Sequence, residues 1–392
     1  MNALTIEVVR PDDRAALTDF VRFRRDVYRR SGLRLADSVP ETAAFFQYQS
    51  PFADGREFHL LVARQDTRVV ARVVALLDGR YTRHWSEQLG HLFMFEALPD
   101  AREAACALID AACDWLHARG ASAVRAGFGP FEPGFVVDDY DKYLVRMTRH
   151  TLPCYHGFLK DAGFETEKGA GEYIITVDDR IVSRYRGFHE SVRQAGYEVV
   201  ALSKIPPGKR ASDFTRTWNE SYASHWGLAP VTEREFASLF DAPGESRTRD
   251  LSAIVYCGDR PVGVVLVRPE RTGRFFPRLT RRASRELEHL SSFAVGVSPC
   301  ARGHNLSVAL GAHAYLQLIA GGARFLSYGL VVDDNWSSRR AAEKLGGYVC
   351  ANYLTYRRSL EPNGRKQERS ATFTRTARAQ PAEMETGRSE PE

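Results

Sequence analysis

A chain of 392 residues, 44% hydrophobic and 26% charged, has the composition of an ordinary globular protein, which excludes collagen-like and wholly disordered classes. Its net charge of +5 is too mild to imply nucleic acid by itself. No run reaches the roughly 18 apolar residues of a membrane helix, and Met1–Arg10 lacks the basic start and long apolar stretch of a secretory signal.

In chain order, the arginines of Arg22–Arg30 (RFRRDVYRR) read as a solvated helix face. His59–Ala75 is two apolar runs around a polar turn, the pattern of a β-hairpin. A helix is predicted over Ala101–His117, with a short strand in Arg119–Phe128 after a glycine stop. Gly127–Pro130 and Gly134–Tyr143 suggest a loop elaborated above the sheet. A further helix in Tyr155–Phe164 leads to a strand over Glu172–Val177. Arg180–Ala195 reads as a linking helix, Tyr197–Leu202 as a strand, Ile205–Lys209 as a turn and Asp213–Phe240 as helical.

The order then repeats. Ser252–Val267 has the hairpin pattern, Leu306–Ala320 the helix, and Gly321–Leu330 the glycine stop and strand. Arg339–Tyr348 reads as the later helix and Asn352–Leu360 as the last strand. Two copies offset by roughly 180–200 residues are a duplicated domain rather than a solenoid. The division is residues 1–178 and 179–360. Residues 361–392, rich in Ser, Thr, Pro, Arg and Glu, bury too little apolar surface to order and read as a disordered tail. Six cysteines, none in a C-x-x-C pair, suggest free thiols and a reduced, cytoplasmic protein.

The sharpest local feature is Phe293–Leu310 (FAVGVSPCARGHNLSVAL). An apolar strand runs into Pro299, then Arg302 and Gly303, then an amphipathic helix. Such a turn leaves free amides at a positive helix end, which suits a diphosphate, and Arg302 adds a charged contact. The segment resembles the acyl-CoA-binding motif of the GNAT (Gcn5-related N-acetyltransferase) superfamily. Arg302, Gly303, His304, Asn305, Leu306 and Ser307 match it, with Asn305 and Ser307 standing where the family has glycine or alanine. Asn tolerates a left-handed backbone better than most residues. Downstream, Ser327–Gly347 resembles the family's ending of a strand, an Asn (here Asn335), a helix and E-K-x-G. Ala342 stands where the family often has a Tyr that protonates the departing thiolate.

The resemblance implies an α/β (α+β) fold of two GNAT-like domains, each a mixed, mostly antiparallel sheet flanked by helices. The first half is degenerate: Phe93–Ala104 offers no glycine, and Asp100 and Glu103 would repel a diphosphate. It also implies an acyl-CoA-dependent N-acyltransferase whose co-substrate is acetyl-CoA or another acyl-CoA, with no metal. Val295, Val297, Arg302, Gly303, His304, Asn305, Ser307 and Asn335 would hold the cofactor, with the amides of Ala294–Val297 beside the acyl oxygen. An amine acceptor must lose a proton to attack a thioester, and Glu288 and His289, just before that strand, are candidate bases, with Ser292 a weaker one. The expected partner is a small-molecule amine, with no membrane.

Six arginines in Arg271–Arg285 would suit an acidic acceptor, the ribose phosphate of CoA or RNA. The competing readings are therefore an aminoacyl-tRNA-dependent peptidyl transferase, which also pairs two GNAT-like domains, and a non-catalytic CoA-binding protein. Tyr222, His225 and Trp226 lie in a segment that overlies acceptors in the family, and also fit as packing aromatics. Asp333 and Asp334 are weak evidence for a metal.

Overall fold

The computed structural model describes residues 4–29, 38–129, 132–138, 151–176, 187–269, 290–320 and 325–360. Glu288, His289, the arginines of 271–285 and the tail after 360 lie outside them.

The first half begins with β1 (Leu4–Val9), α1 (Arg14–Arg29) and α2 (Val39–Phe46). The hairpin β2 (Arg56–Gln65) and β3 (Arg68–Asp78) follows, then α3 (Gly79–Trp85), β4 (Leu89–Ala97), α4 (Arg102–His117) and β5 (Ala123–Ala126). After β6 (Phe135–Val136) come α5 (Cys154–Asp161) and β7 (Glu165–Thr176). The second half repeats the plan with α6 (Phe188–Gln194), β8 (Tyr197–Ala201), α7 (Pro207–Tyr222), α8 (Glu233–Phe240), α9 (Ser246–Leu251) and the hairpin β9 (Ala253–Cys257) and β10 (Arg260–Pro269). It closes with β11 (Leu290–Val297), α10 (Leu306–Ala320), β12 (Phe325–Val332), α11 (Trp336–Lys344) and β13 (Tyr348–Ser359). The Ile205–Lys209 turn is shorter than the sequence suggests, because Pro207 opens α7; proline at the first helical position gives up no hydrogen bond.

Strand alternation separates two apolar faces in each half. In the first, Leu60, Val62 and Val74 pack under α1 and α2, while Leu61, Val73 and Ala75 pack under α4 and α5. In the second, Ile254 and Val264 meet Phe214, Phe236 and Phe240 of α7 and α8, and Val255, Val265 and Val267 meet Leu310, Ala314 and Leu318 of α10. Of the arginines on α1, Arg24 departs from the solvated reading: its Nε lies 3.3 Å from the buried carboxylate of Glu96.

Among the described residues the strands form one sheet, ordered β1-β2-β3-β4-β5-β13-β7-β12-β11-β10-β9-β8, with β6 pairing β13. The pairs β4–β5 and β11–β12 are parallel and the others antiparallel. The final strands are exchanged. β7, last in the first half, pairs with β12, and β13, last in the second, pairs with β5. Residue 178 therefore divides the chain but not the sheet. Two similar halves end in similar strands, so either strand satisfies the same edge.

Candidate functional site

β11 and β12 run parallel from Leu290↔Phe325 to Phe293↔Tyr328, where their pairing ends. β11 stays paired with β10 as far as Val297. β12 bulges after Tyr328 and rejoins β7 at Val331. The two strands thus separate at Tyr328, and Ala294–Val297 border the resulting gap.

At the open end of the gap a short 3-10 turn (Pro299–Ala301) leads into α10. Ser298 anchors it: its amide donates to Val262 O (2.9 Å) and its hydroxyl to Glu220 Oε2 (2.8 Å). Residues 302–305 are exposed. Gly303 has φ +91° and Asn305 φ +57°, so Asn305 adopts the left-handed conformation that Asn accepts at modest cost. Its carbonyl accepts from the amides of Val308 and Ala309 and so starts the helix. Among the described residues, no amide from Gly303 to Ser307 donates to a protein acceptor. The turn is an outward-facing set of N–H groups at a positive helix end, the arrangement that binds phosphate. Arg302 lies at its rim, its Nε 3.4 Å from Val297 O and its Nη2 3.3 Å from Ser221 O. His304 is exposed, its ring 5.5 Å from that of Tyr197. Asn305→Val should destabilise the protein by about 1–2 kcal/mol in chemical unfolding and Asn305→Gly should not, because a β-branched residue pays the left-handed penalty in full.

The gap is walled from both faces. From α7, Tyr222 donates its hydroxyl to Val295 O (2.7 Å). A Cβ placed on Gly296 would lie 2.7 Å from Ser221 Cβ and 3.0 Å from Tyr222 Cε2, so the end of α7 seats directly on β11. From the other face, Tyr328 packs with Tyr173, Val331, Val349 and Ala342 of α11. Burial pushes the pKa of its hydroxyl up, and the nearby Ser338 side chain acts against that shift. Burial also pushes Tyr222 well up, and the neighbouring Tyr328 adds to the shift, so both phenols are neutral at ordinary pH. Asn335 caps α11, its Oδ1 accepting from Ser338 N (3.2 Å).

Beneath the bulge of β12 lies Glu172, on the exchanged strand β7. It is fully buried and accepts from Ser327 Oγ (2.5 Å) and Tyr353 Oη (3.2 Å). Ser292 is in register with Ser327. Asp334 is ion-paired with Lys168 (2.6 Å). His225 and Trp226 follow α7 onto the first half. Trp226 lies 4.4 Å from the Arg125 guanidinium and 5.2 Å from Phe128. Desolvation lowers the pKa of His225, so its ring is neutral.

The first half has the same geometry, filled by its own chain. β4 and β5 stop pairing at Leu92↔Ala126. Beyond it Glu132 Oε1 accepts from the amide of Met94 (2.7 Å), and β6 closes the gap against β13. The remaining space, lined by Leu92, Phe95, Glu132 and Phe135, has room for about one water. The turn into α4 is closed as well: Leu98 N donates to Val70 O and Ala101 N to Leu98 O.

Sequence reading singled out the turn, Val295, Val297 and Asn335; the turn, Val295 and Val297 border the parting of β11 and β12, and Asn335 caps α11. It missed Tyr328, Ser338 and Glu172, whose positions depend on where β12 leaves β11 and on the exchange of β7. The apolar stretch FLSYGLVV marks a strand but does not show which residue stands at the parting point.

No family model matches the chain. Protein YghO of Escherichia coli (strain K12) is 24% identical over 202 residues, 49% of this chain and 50% of that protein. A bacterial ceramide synthase of Caulobacter vibrioides is 24% identical over 208 residues, 51% and 53% of the two. The matches thus span about half the length of these curated relatives. Among solved structures, a tandem GNAT protein from the clavulanic acid biosynthesis pathway superposes with TM-score 0.56 at 13% identity, over 92% of this chain and 100% of that one. A GCN5-related glucosamine N-acetyltransferase region of a fungal multi-domain β-N-acetylglucosaminidase gives 0.59 at 15%, over 91% and 38%. A GCN5-related N-acetyltransferase from Sphaerobacter thermophilus gives 0.53 at 14%, over 92% and 96%. At such identities the likeness is one of fold.

Proposed function

This chain has the tandem GNAT fold, and from it we propose an acyl-CoA-dependent N-acyltransferase that moves an acetyl group to the amine of a small molecule or amino-acid derivative. The observation that carries this reading is the parting of β11 and β12, beyond which lie five unpaired amides at the start of α10. Those amides and Arg302 hold the diphosphate of the carrier. The pantetheine arm runs along Val295 and Val297 towards the parting point at Tyr328, with Asn335 beside it. The cavity of the first half is occupied by Glu132 and β6, so the second half binds the cofactor and the first contributes to the acceptor side through Phe128 and Arg125.

The amine attacks the thioester carbonyl after losing its proton. Glu288 and His289 precede β11 in the chain and are the proposed acceptors of that proton, and Ser292, a weaker candidate, is in register with Ser327. Backbone N–H groups of the splayed strand stabilise the oxyanion. The free thiols fit a cytoplasmic protein, and among the described residues no helix is long and apolar enough to cross a membrane.

Native mass spectrometry of the purified protein should show co-purified acyl-CoA. Acetyl-CoA with a panel of amines should release free thiol. The partial likeness to a ceramide synthase puts a long-chain amine in that panel. Absence of both binding and thiol release would remove the enzymatic reading, and stabilisation by tRNA in place of acetyl-CoA would favour the peptidyl-transferase alternative.

A further inference from the structure

The departing sulfur of a thioester is a poor leaving group unless it is protonated as it leaves. Ala342 of α11 offers no donor for that step. It is fully buried and packs in one cluster with Tyr328. The space that a larger side chain at 342 would fill is thus shared with a phenol that comes from the neighbouring strand. Tyr328 stands where β11 and β12 part, and it is half-buried. Ser338, one turn before Ala342 and fixed at the capped end of α11, has its side chain beside the Tyr328 hydroxyl.

Resting on the acyltransferase reading, we propose that Tyr328 is the catalytic acid of this site, supplied from β12 instead of from α11. As the C–N bond forms and the C–S bond breaks, the sulfur keeps the bonding electron pair and takes the proton from Tyr328 Oη. The phenolate is neutralised by the proton released from the amine, passed back through Ser338 or water, so that amine and thioester become amide and thiol with no other reactant. The remaining polar groups near this phenol are Tyr173 of β7 and Tyr222 of α7. Tyr222 donates its hydroxyl to Val295 O. Burial keeps the phenol protonated through neutral pH.

The test compares wild type with Tyr328→Phe, using hydroxylamine as the amine and two acetyl donors, acetyl-CoA and an aryl thioester whose thiolate leaves without help. With acetyl-CoA, kcat should fall by about 10²–10³ while KM and the melting temperature stay put. With the aryl donor the loss in kcat/KM should stay below about tenfold. Equal losses with both donors, or none with acetyl-CoA, would overturn the proposal while leaving the acyltransferase standing. A wild type that consumes neither donor would overturn the acyltransferase reading and this proposal with it. Should Tyr328→Phe unfold, Ser338→Ala leaves the ring in place and should show the same donor dependence with a smaller loss; a donor-independent loss there overturns the proposal.

Discussion

Replacing Glu235 with Ala should destabilise the folded chain by about 3–5 kcal/mol, the cost of leaving buried charge unpaired. Glu235 opens α8 in the second half and is 2% exposed. Its carboxylate reaches into the first half, 2.5 and 2.9 Å from the Arg80 guanidinium and 3.2 Å from that of Arg56. Arg56 in turn lies 2.9 Å from Asp78. The same carboxylate accepts from the Thr232 amide (2.7 Å) to complete a capping box, so the substitution also removes a helix cap. Arg234→Ala, at an exposed pair with Asp54 across the same junction, should cost less than about 1 kcal/mol. Urea unfolding of the two variants separates the buried cluster from the surface pair, and equal losses would show that the cluster contributes no more than surface charge does.

The same carboxylate sets a pH dependence. Burial acts to raise its pKa, but the Arg80 hydrogen bond, the Thr232 amide and the charges of Arg80 and Arg56 together hold it below the ordinary 4.5. A depressed carboxyl contributes stability that is present above its unfolded value and lost as pH falls through its folded value. Wild type should therefore lose stability more steeply than Glu235→Ala below about pH 4.5.

Ser307→Glu should abolish most acyl-CoA affinity without harming the fold. Ser307 is exposed in the first turn of α10, beside the unpaired amides. A carboxylate at a helix start favours the helix by about 0.3–1 kcal/mol. The same charge repels a diphosphate about 4 Å away by roughly 1–4 kcal/mol, between the limits of water and a protein surface. Calorimetric titration with acetyl-CoA should show a loss of about tenfold or more with a melting temperature that is unchanged or raised. Unchanged affinity would take the diphosphate away from this turn, whatever the chemistry of the gap proves to be. Arg302→Ala should weaken binding less, because its guanidinium already spends part of its capacity on Val297 O and Ser221 O.

The duplicated plan, the helix at Leu306–Ala320 and the exposed turn before it were legible in the residues, because hydrophobic period, glycine stops and Pro299 act locally. The backbone of Asn305 was legible for the same reason: a short polar side chain beside Gly303 marks a left-handed position. The lack of a phosphate turn in the first half was also readable from Phe93–Ala104, which offers no glycine and carries the acidic Asp100 and Glu103.

What the residues did not determine is long-range. Nothing local in β7 or β13 names the strand it pairs with, so only the assembled sheet decides which half each completes. That choice brings Glu172 of the first half under the gap of the second. The bulge amide of Met94 meets Glu132 through a contact 38 residues away in sequence. Tyr328 reads as one more strand residue until the parting of β11 and β12 leaves it at the apex. Local periodicity fixes which face a side chain takes, whereas the neighbour it meets there depends on pairing between distant segments.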